Sequence, residues 1–157
     1  VFDNVALPLR EQRRPADEIA DRVAKLLQEV ELPDAGPLLP AQLSGGMVKR
    51  AALARALVGE PEILLCDEPF SGLDPVNVRR IEALLVDLAR RRGVTMIIAS
   101  HHIPSSRRMA RQIAFLQDGH AMVAPPAELE ASTDRRIADF FLADGDGPFD
   151  VESGAAA

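Results

Sequence analysis

Ile63-Leu64-Leu65-Cys66-Asp67-Glu68-Pro69-Phe70-Ser71-Gly72-Leu73-Asp74-Pro75 is the stretch whose reading decides the fold. Four apolar residues run directly into two adjacent carboxylates. The apolar run predicts a strand buried on both faces, as at the centre of a parallel sheet, and the C-terminal end of such a strand is where α/β sheets place ligands. Asp67 continues the strand and is a candidate ligand for hydrated Mg²⁺, a hard cation that prefers oxygen. Glu68 opens the loop and is a candidate to orient or deprotonate a water. The pair points to metal-assisted phosphoryl chemistry. Taken alone, an Asp-Glu pair is more often a strand that stops at a polar turn; the neighbouring sequence reverses that reading.

Upstream, the chain reads as mostly helical over residues 1–60. Residues 1–9 form an amphipathic opening closed by Pro8, and Pro15-Ala16-Asp17-Glu18 is a helix start with acids on the positive end of the dipole. Ile19, Val23, Leu26, Leu27 and Val30 then recur at three- and four-residue intervals, giving one apolar stripe. Residues 33–40 carry Gly36 and three prolines and read as a loop. Leu43-Ser44-Gly45-Gly46-Met47 follows and runs into an Ala-rich helix to Leu57. Ser44 is a helix N-cap candidate, and the two glycines let the backbone approach a ligand where a Cβ would collide. A helix start of this kind is an anion site. Ser-Gly-Gly alone is a common turn; its position one helix before Asp67 is what strengthens it.

Downstream, Val78, Ile81, Leu84, Leu85 and Leu88 mark one face of a helix over residues 76–92, which Gly93 ends. Residues 94–100 form a second buried, β-branched strand, so the strand–helix–strand order predicts a parallel crossover. Its end delivers Ser100-His101-His102 beside Asp67 and Glu68, where His101 could hydrogen-bond a phosphate and the attacking water. Residues 113–116 and 121–123 flank Asp118-Gly119, a hairpin signal; His120 has no assigned role. Residues 135–142 read as a short helix. Residues 144–157 lack a packing face and read as a disordered tail.

The composition narrows the function classes. A chain of 157 residues with 47% hydrophobic content accommodates one domain and a sizeable core. A formal charge of −6 argues against a general nucleic-acid grip, and Arg90-Arg91-Arg92 reads as a solvated helix end. The single cysteine, Cys66, excludes a disulfide framework and a zinc spacing and favours a cytosolic location. No apolar stretch approaches the length of a membrane span and no leader opens the chain.

Residues 43–47, 63–69, Ser71-Gly72-Leu73-Asp74 and Ser100-His101, in that order, resemble the ATP-binding-cassette (ABC) ATPases over residues 1 to about 143. The resemblance implies an α/β, P-loop NTPase-like parallel-sheet core, residues 61–143, with an inserted helical subdomain, residues 1–60. It implies that Leu43, Ser44, Gly45, Gly46 and Met47 are the signature motif and bind ATP together with Asp74 of the D-loop. It further implies that Asp67 is the Walker B acid that holds Mg²⁺, Glu68 the catalytic glutamate and His101 the switch histidine. No G-x-x-x-x-G-K-[ST] loop is present in the 157 residues, nor are the adenine-stacking aromatic and the Q-loop glutamine, which lie upstream in this family. The chain also opens on Val1. The expectation is therefore the C-terminal part of a cassette, beginning just after the Q-loop and not hydrolysing ATP alone.

Met47 stands where the family usually has Gln or Glu. This departure touches the polar fifth contact of the signature and not its glycine-lined phosphate contact. With residues 1–10 and 49–56, it resembles the ATPases of Mla-type phospholipid transporters, which work with Mce-domain proteins. That resemblance implies the ATP-hydrolysing subunit of a lipid transporter, peripheral at the cytoplasmic face of the inner or plasma membrane. Its implied partners are a second ATPase subunit, as in a homodimer, a multi-span permease and an Mce-type protein, with no nucleic acid. The alternatives are a DNA-repair or chromosome-maintenance head, which would be joined to heptad-rich arms not found here, a translation-factor ATPase, and a non-catalytic remnant.

Overall fold

Parallel pairing of Ile63–Asp67 (β1) with Thr95–Ala99 (β2) carries the fold in the computed structural model, which describes residues 1–117 and 119–142. The register places Leu65 opposite Ile97 and Asp67 opposite Ala99, so the acidic end of β1 and the end of β2 that leads to His101 lie side by side. Pro75–Arg92 (α4) connects them. Its face Val78, Ile81, Leu84, Leu85 and Leu88 is buried as the periodicity predicts, and Gly93 closes it with φ of 65°, the left-handed conformation glycine adopts without a Cβ penalty.

The two strands are not buried on both faces, which corrects the reading of β1 and β2 as fully enclosed. Leu64 is buried, but Ile63, Leu65 and Ile97 are 58%, 73% and 57% exposed. Successive strand residues point to opposite faces. Among the described residues β1 and β2 form a two-stranded sheet, and this chain covers one of its faces. An apolar run records what a strand can bury; the elements laid over it decide what it does bury.

Residues Phe2–Glu11 (α1), Ala16–Glu29 (α2) and Gly45–Leu57 (α3) are the helices of the first part of the chain. α1 continues through Pro8 rather than closing there. Proline removes one helical donor, but Val5, Ala6 and Leu9 are fully buried on either side of it, and the Pro8 carbonyl accepts from Gln12 N at 3.2 Å. α2 buries the expected stripe Ile19, Val23, Leu26 and Leu27. A single 3₁₀ turn, Pro40–Gln42, leads into α3. Arg50 of α3 is 7% exposed; its guanidinium donates to the carbonyls of Glu31 at 2.8 Å and Val30 at 3.4 Å, tying α3 to the end of α2. Arg92 is not a purely solvated helix end, because it pairs with Glu29 of α2 at 2.9 Å.

Val1–His101 forms one compact unit and a second begins at His102. The second contains Ile103–Met109 (α5), the antiparallel hairpin Ile113–Gln117 (β3) and His120–Ala124 (β4), Pro126–Glu130 (α6) and Arg135–Leu142 (α7). Its core is Ile103, Leu129, Ile137 and Phe141, with Ile113, Phe115 and Ala124 packed against it. The hairpin and α7 match the sequence reading, and Gly119 turns the hairpin at φ of 77°. Asp118 and the proposed disordered tail lie outside the described residues. The short helices α5 and α6 have no strong periodic signal and are not legible in the sequence.

Candidate active site

The chain turns at Glu68, a non-glycine residue with φ of 45°. Left-handed backbone costs a side-chain-bearing residue about 1–2 kcal/mol, and strain of this kind clusters at functional sites. Four groups hold the turn. Glu68 N donates to Ala99 O at 2.9 Å, continuing the β1–β2 pairing one residue past the strand. The Glu68 carbonyl accepts from Lys49 Nζ at 2.9 Å, from Ser71 Oγ at 3.0 Å and from Ser71 N at 3.3 Å.

The β2 end brings His101 to the Glu68 carboxylate. His101 N donates to Glu68 Oε1 at 3.1 Å, and His101 Nδ1 lies 2.8 Å from the same oxygen. The bond to the His101 ring is the main cause that lowers the Glu68 pKa from its ordinary value, with the His101 backbone N–H adding to it. Glu68 is therefore a carboxylate throughout the neutral range. Its other oxygen, Oε2, is shielded from solvent and has no hydrogen-bond partner among the described residues. An unpaired buried carboxylate oxygen is costly and calls for a reason; an acceptor kept ready for a substrate proton is one.

Asp67 is exposed at the end of β1, and no hydrogen bond or ion pair among the described residues engages its carboxylate. An unengaged hard oxygen ligand fits Mg²⁺, which is held by one or two carboxylates together with waters and phosphate oxygens. No cluster of three or more His, Cys, Asp or Glu that could hold a metal ion occurs among the described residues. When bound, the ion would supply charge compensation at phosphate oxygens.

The Leu43 to Met47 segment opens α3. Leu43 ends the 3₁₀ turn, Ser44 is the N-cap with Oγ accepting from Met47 N at 3.4 Å, and Gly45 and Gly46 form the first helical turn. Gly45 is exposed, whereas Gly46 is buried. A Cβ at Gly46 would lie 2.9 Å from Asn77 Oδ1, so close packing on α4 requires this glycine; at Gly45 a Cβ would meet only Leu73 at an ordinary 3.8 Å. Asp74 caps α4, its Oδ1 accepting from Val76 N at 2.9 Å and Asn77 N at 3.0 Å. These bonds to Asn77 are the leading cause of its lowered pKa.

Asp67, Glu68 and His101 are thus brought together, as the sequence reading expects. No hydrogen bond among the described residues links residues 43–47 directly to those three. Sequence reasoning missed Lys49, which bridges α3 to the Glu68 turn, and Asn77, which meets both Gly46 and Asp74. A lysine on a helix carries no local sign of which carbonyl it will reach.

Comparison with known proteins bears on the family and the fold. Residues 1–71 match the family model described as ABC transporter. The chain is 40% identical over 158 residues to the intermembrane phospholipid transport system ATP-binding protein MlaF of Escherichia coli (strain K12), covering 98% of this chain and 59% of MlaF. It is 44% identical over 119 residues to the methionine import ATP-binding protein MetN of Escherichia coli O157:H7, covering 76% of this chain and 35% of MetN. The chain thus spans about three fifths of MlaF and about a third of MetN. Among solved structures it is similar to CbiO1 of Clostridium perfringens, part of the ABC transporter complex CbiONQ, with TM-score 0.75 and 32% identity over 88% of this chain and 56% of that one. A metal-chelate type ABC transporter in an inward-facing conformation shares the fold, with TM-score 0.79 and 21% identity over 90% and 57% of the two chains. Motif order, fold and these likenesses together make the chain similar to the ATP-binding proteins of ABC transporters.

Proposed function

We propose that this chain belongs to an ATP-hydrolysing subunit that powers lipid transport. The observation that carries the reading is the Glu68 carboxylate, fixed through one oxygen by His101 and unpartnered at the other, one residue from the unengaged Asp67. In this reading Glu68 orients the attacking water and accepts its proton, His101 holds Glu68 in place, and Asp67 ligates Mg²⁺. Residues 43–47 offer a glycine-lined helix start to the γ-phosphate of ATP held by a second copy, and Asp74 contributes from the neighbouring loop. Catalysis of this kind is mostly positioning and charge stabilisation.

Phospholipid is proposed over methionine because similarity to MlaF runs along 98% of the chain and that to MetN along 76%. A multi-span permease and an Mce-type protein are the proposed partners. Among the described residues no helix is long and apolar enough to cross a membrane, which accords with attachment through the permease at the cytoplasmic face. The test is to purify the full-length gene product from membranes with whatever it holds and measure its ATP turnover. Stimulation by phospholipid vesicles and recovery of an Mce-type protein support the reading. Stimulation by methionine instead overturns the lipid assignment, and no turnover at all overturns the catalytic one.

A further inference from the structure

We propose that Lys49 is a positioning residue for Glu68 and the element through which the Ser44–Gly45 helix start is coupled to the catalytic turn of the same subunit. This rests on the catalytic reading of Glu68 given above. Lys49 Nζ donates to the Glu68 carbonyl and to Ser71 Oγ, both at 2.9 Å, while Ser71 Oγ donates to that same carbonyl at 3.0 Å. The three groups close a small ring around the Glu68 backbone, which is left-handed as are those of Arg13, Glu31 and Glu60 among the described non-glycine residues. A non-glycine residue keeps that conformation only where its surroundings over-determine it. The Glu68 N–H is held by Ala99 O and its carboxylate by His101, both anchored at the end of β2. Lys49 and Ser71 supply the opposing hold on the carbonyl, and of these only Lys49 comes from another helix.

That helix is α3, whose first turn is the proposed phosphate contact. A shift of the α3 start on meeting a phosphate therefore moves the ammonium that fixes the Glu68 carbonyl, and with it the direction of Oε2. Lys49 is partly buried and a cation, so it replaces a solvating water at the carbonyl with a fixed, charge-assisted donor. It touches none of the reacting groups itself; its effect passes through the Glu68 backbone.

The experiment measures ATP turnover of the full-length gene product with Lys49→Met, Lys49→Arg and Glu68→Gln, and the double variant Lys49→Met/Glu68→Gln. Lys49→Met should lower kcat about tenfold with KM for ATP within about twofold, Lys49→Arg should restore most of the rate, and Lys49→Met should add nothing further once Glu68 is Gln. Unchanged kcat in Lys49→Met, a loss expressed in KM, or an equal loss in the Glu68→Gln background overturns the proposal. If Lys49→Met does not fold, Lys49→Gln takes its place with the same outcomes: a kcat loss of about tenfold at unchanged KM that Lys49→Arg restores supports the proposal, and an unchanged kcat or a loss expressed in KM overturns it. Should Glu68→Gln itself keep the wild-type rate, the catalytic reading fails first; loss in Glu68→Gln without loss in Lys49→Met removes only the role of Lys49.

Discussion

Glu68 and Asp67 are adjacent in sequence but differ in surroundings, and the difference predicts different losses. Glu68→Gln keeps shape and hydrogen bonding and removes the charge, so the full-length protein should retain Mg-ATP while turnover falls about 10²- to 10⁴-fold, the usual cost of losing a general base. Asp67→Asn should weaken Mg-ATP binding as well as rate, because its unengaged carboxylate is the proposed metal ligand. ATP affinity and turnover of the two variants decide this; equal nucleotide loss in both would sink the division of labour. A second expectation concerns pH. His101 lowers the Glu68 pKa, so the stabilisation from their bond is complete above the ordinary glutamate value, about 4.3, and is lost as pH falls through the lowered folded value. His101→Ala removes the ring but keeps the backbone N–H, so the Glu68 midpoint should move part of the way up toward the ordinary value. Carboxyl ¹³C titration by NMR reads it, and a midpoint that stays or drops would show that the ring is not the cause.

At the scale of elements, the start of α3 combines a packing glycine, Gly46, with an exposed one, Gly45, proposed to face a phosphate. Gly46→Ala would gain about 1 kcal/mol of helix propensity and meet Asn77 Oδ1 at 2.9 Å. Asn77 is itself held by Asp74, so it cannot give way freely, and overpacking costs about 1–3 kcal/mol. The net expectation is a loss of up to about 2 kcal/mol. Gly45→Ala meets only ordinary contact, so stability should hold or rise slightly, while ATP turnover falls about tenfold or more if backbone must approach a phosphate there. Thermal melts and turnover of the two variants give the comparison. If both lose stability alike, or Gly45→Ala keeps full activity, the assignment of the two glycines is wrong. The heptad-free helices, the 3.6-residue stripes of α2 and α4 and the stop at Gly93 were all legible, because amphipathic periodicity and a left-handed cap are local properties.

At the scale of the whole chain, no Gly-rich lysine-bearing phosphate loop lies within these 157 residues, and Mg-ATP is held chiefly by such a loop. The 157-residue chain purified by itself should therefore show no steady-state ATP hydrolysis, whereas the full-length gene product should. Measurable turnover by the shorter chain would require a phosphate grip not recognised here. The exposed Ile63, Leu65 and Ile97 belong to the same scale: the strands carry the side chains of a two-sided core, while the described residues of this chain cover one side.

The sequence by itself determined the order of the motifs, the parallel strand–helix–strand unit and the meeting of the Glu68 and His101 segments, because neighbouring strand ends in one parallel sheet lie side by side. Tertiary structure alone decided the rest. That Glu68 is left-handed, that one of its oxygens is bound by His101 and the other unpaired, that Gly46 is required by Asn77 and that Lys49 reaches a carbonyl two elements away are all through-space facts. Periodicity reports which face of an element is apolar; it does not report which atom from a distant segment will lie 3 Å from it, since that depends on how helices and strands pack rather than on the residues adjacent in the chain.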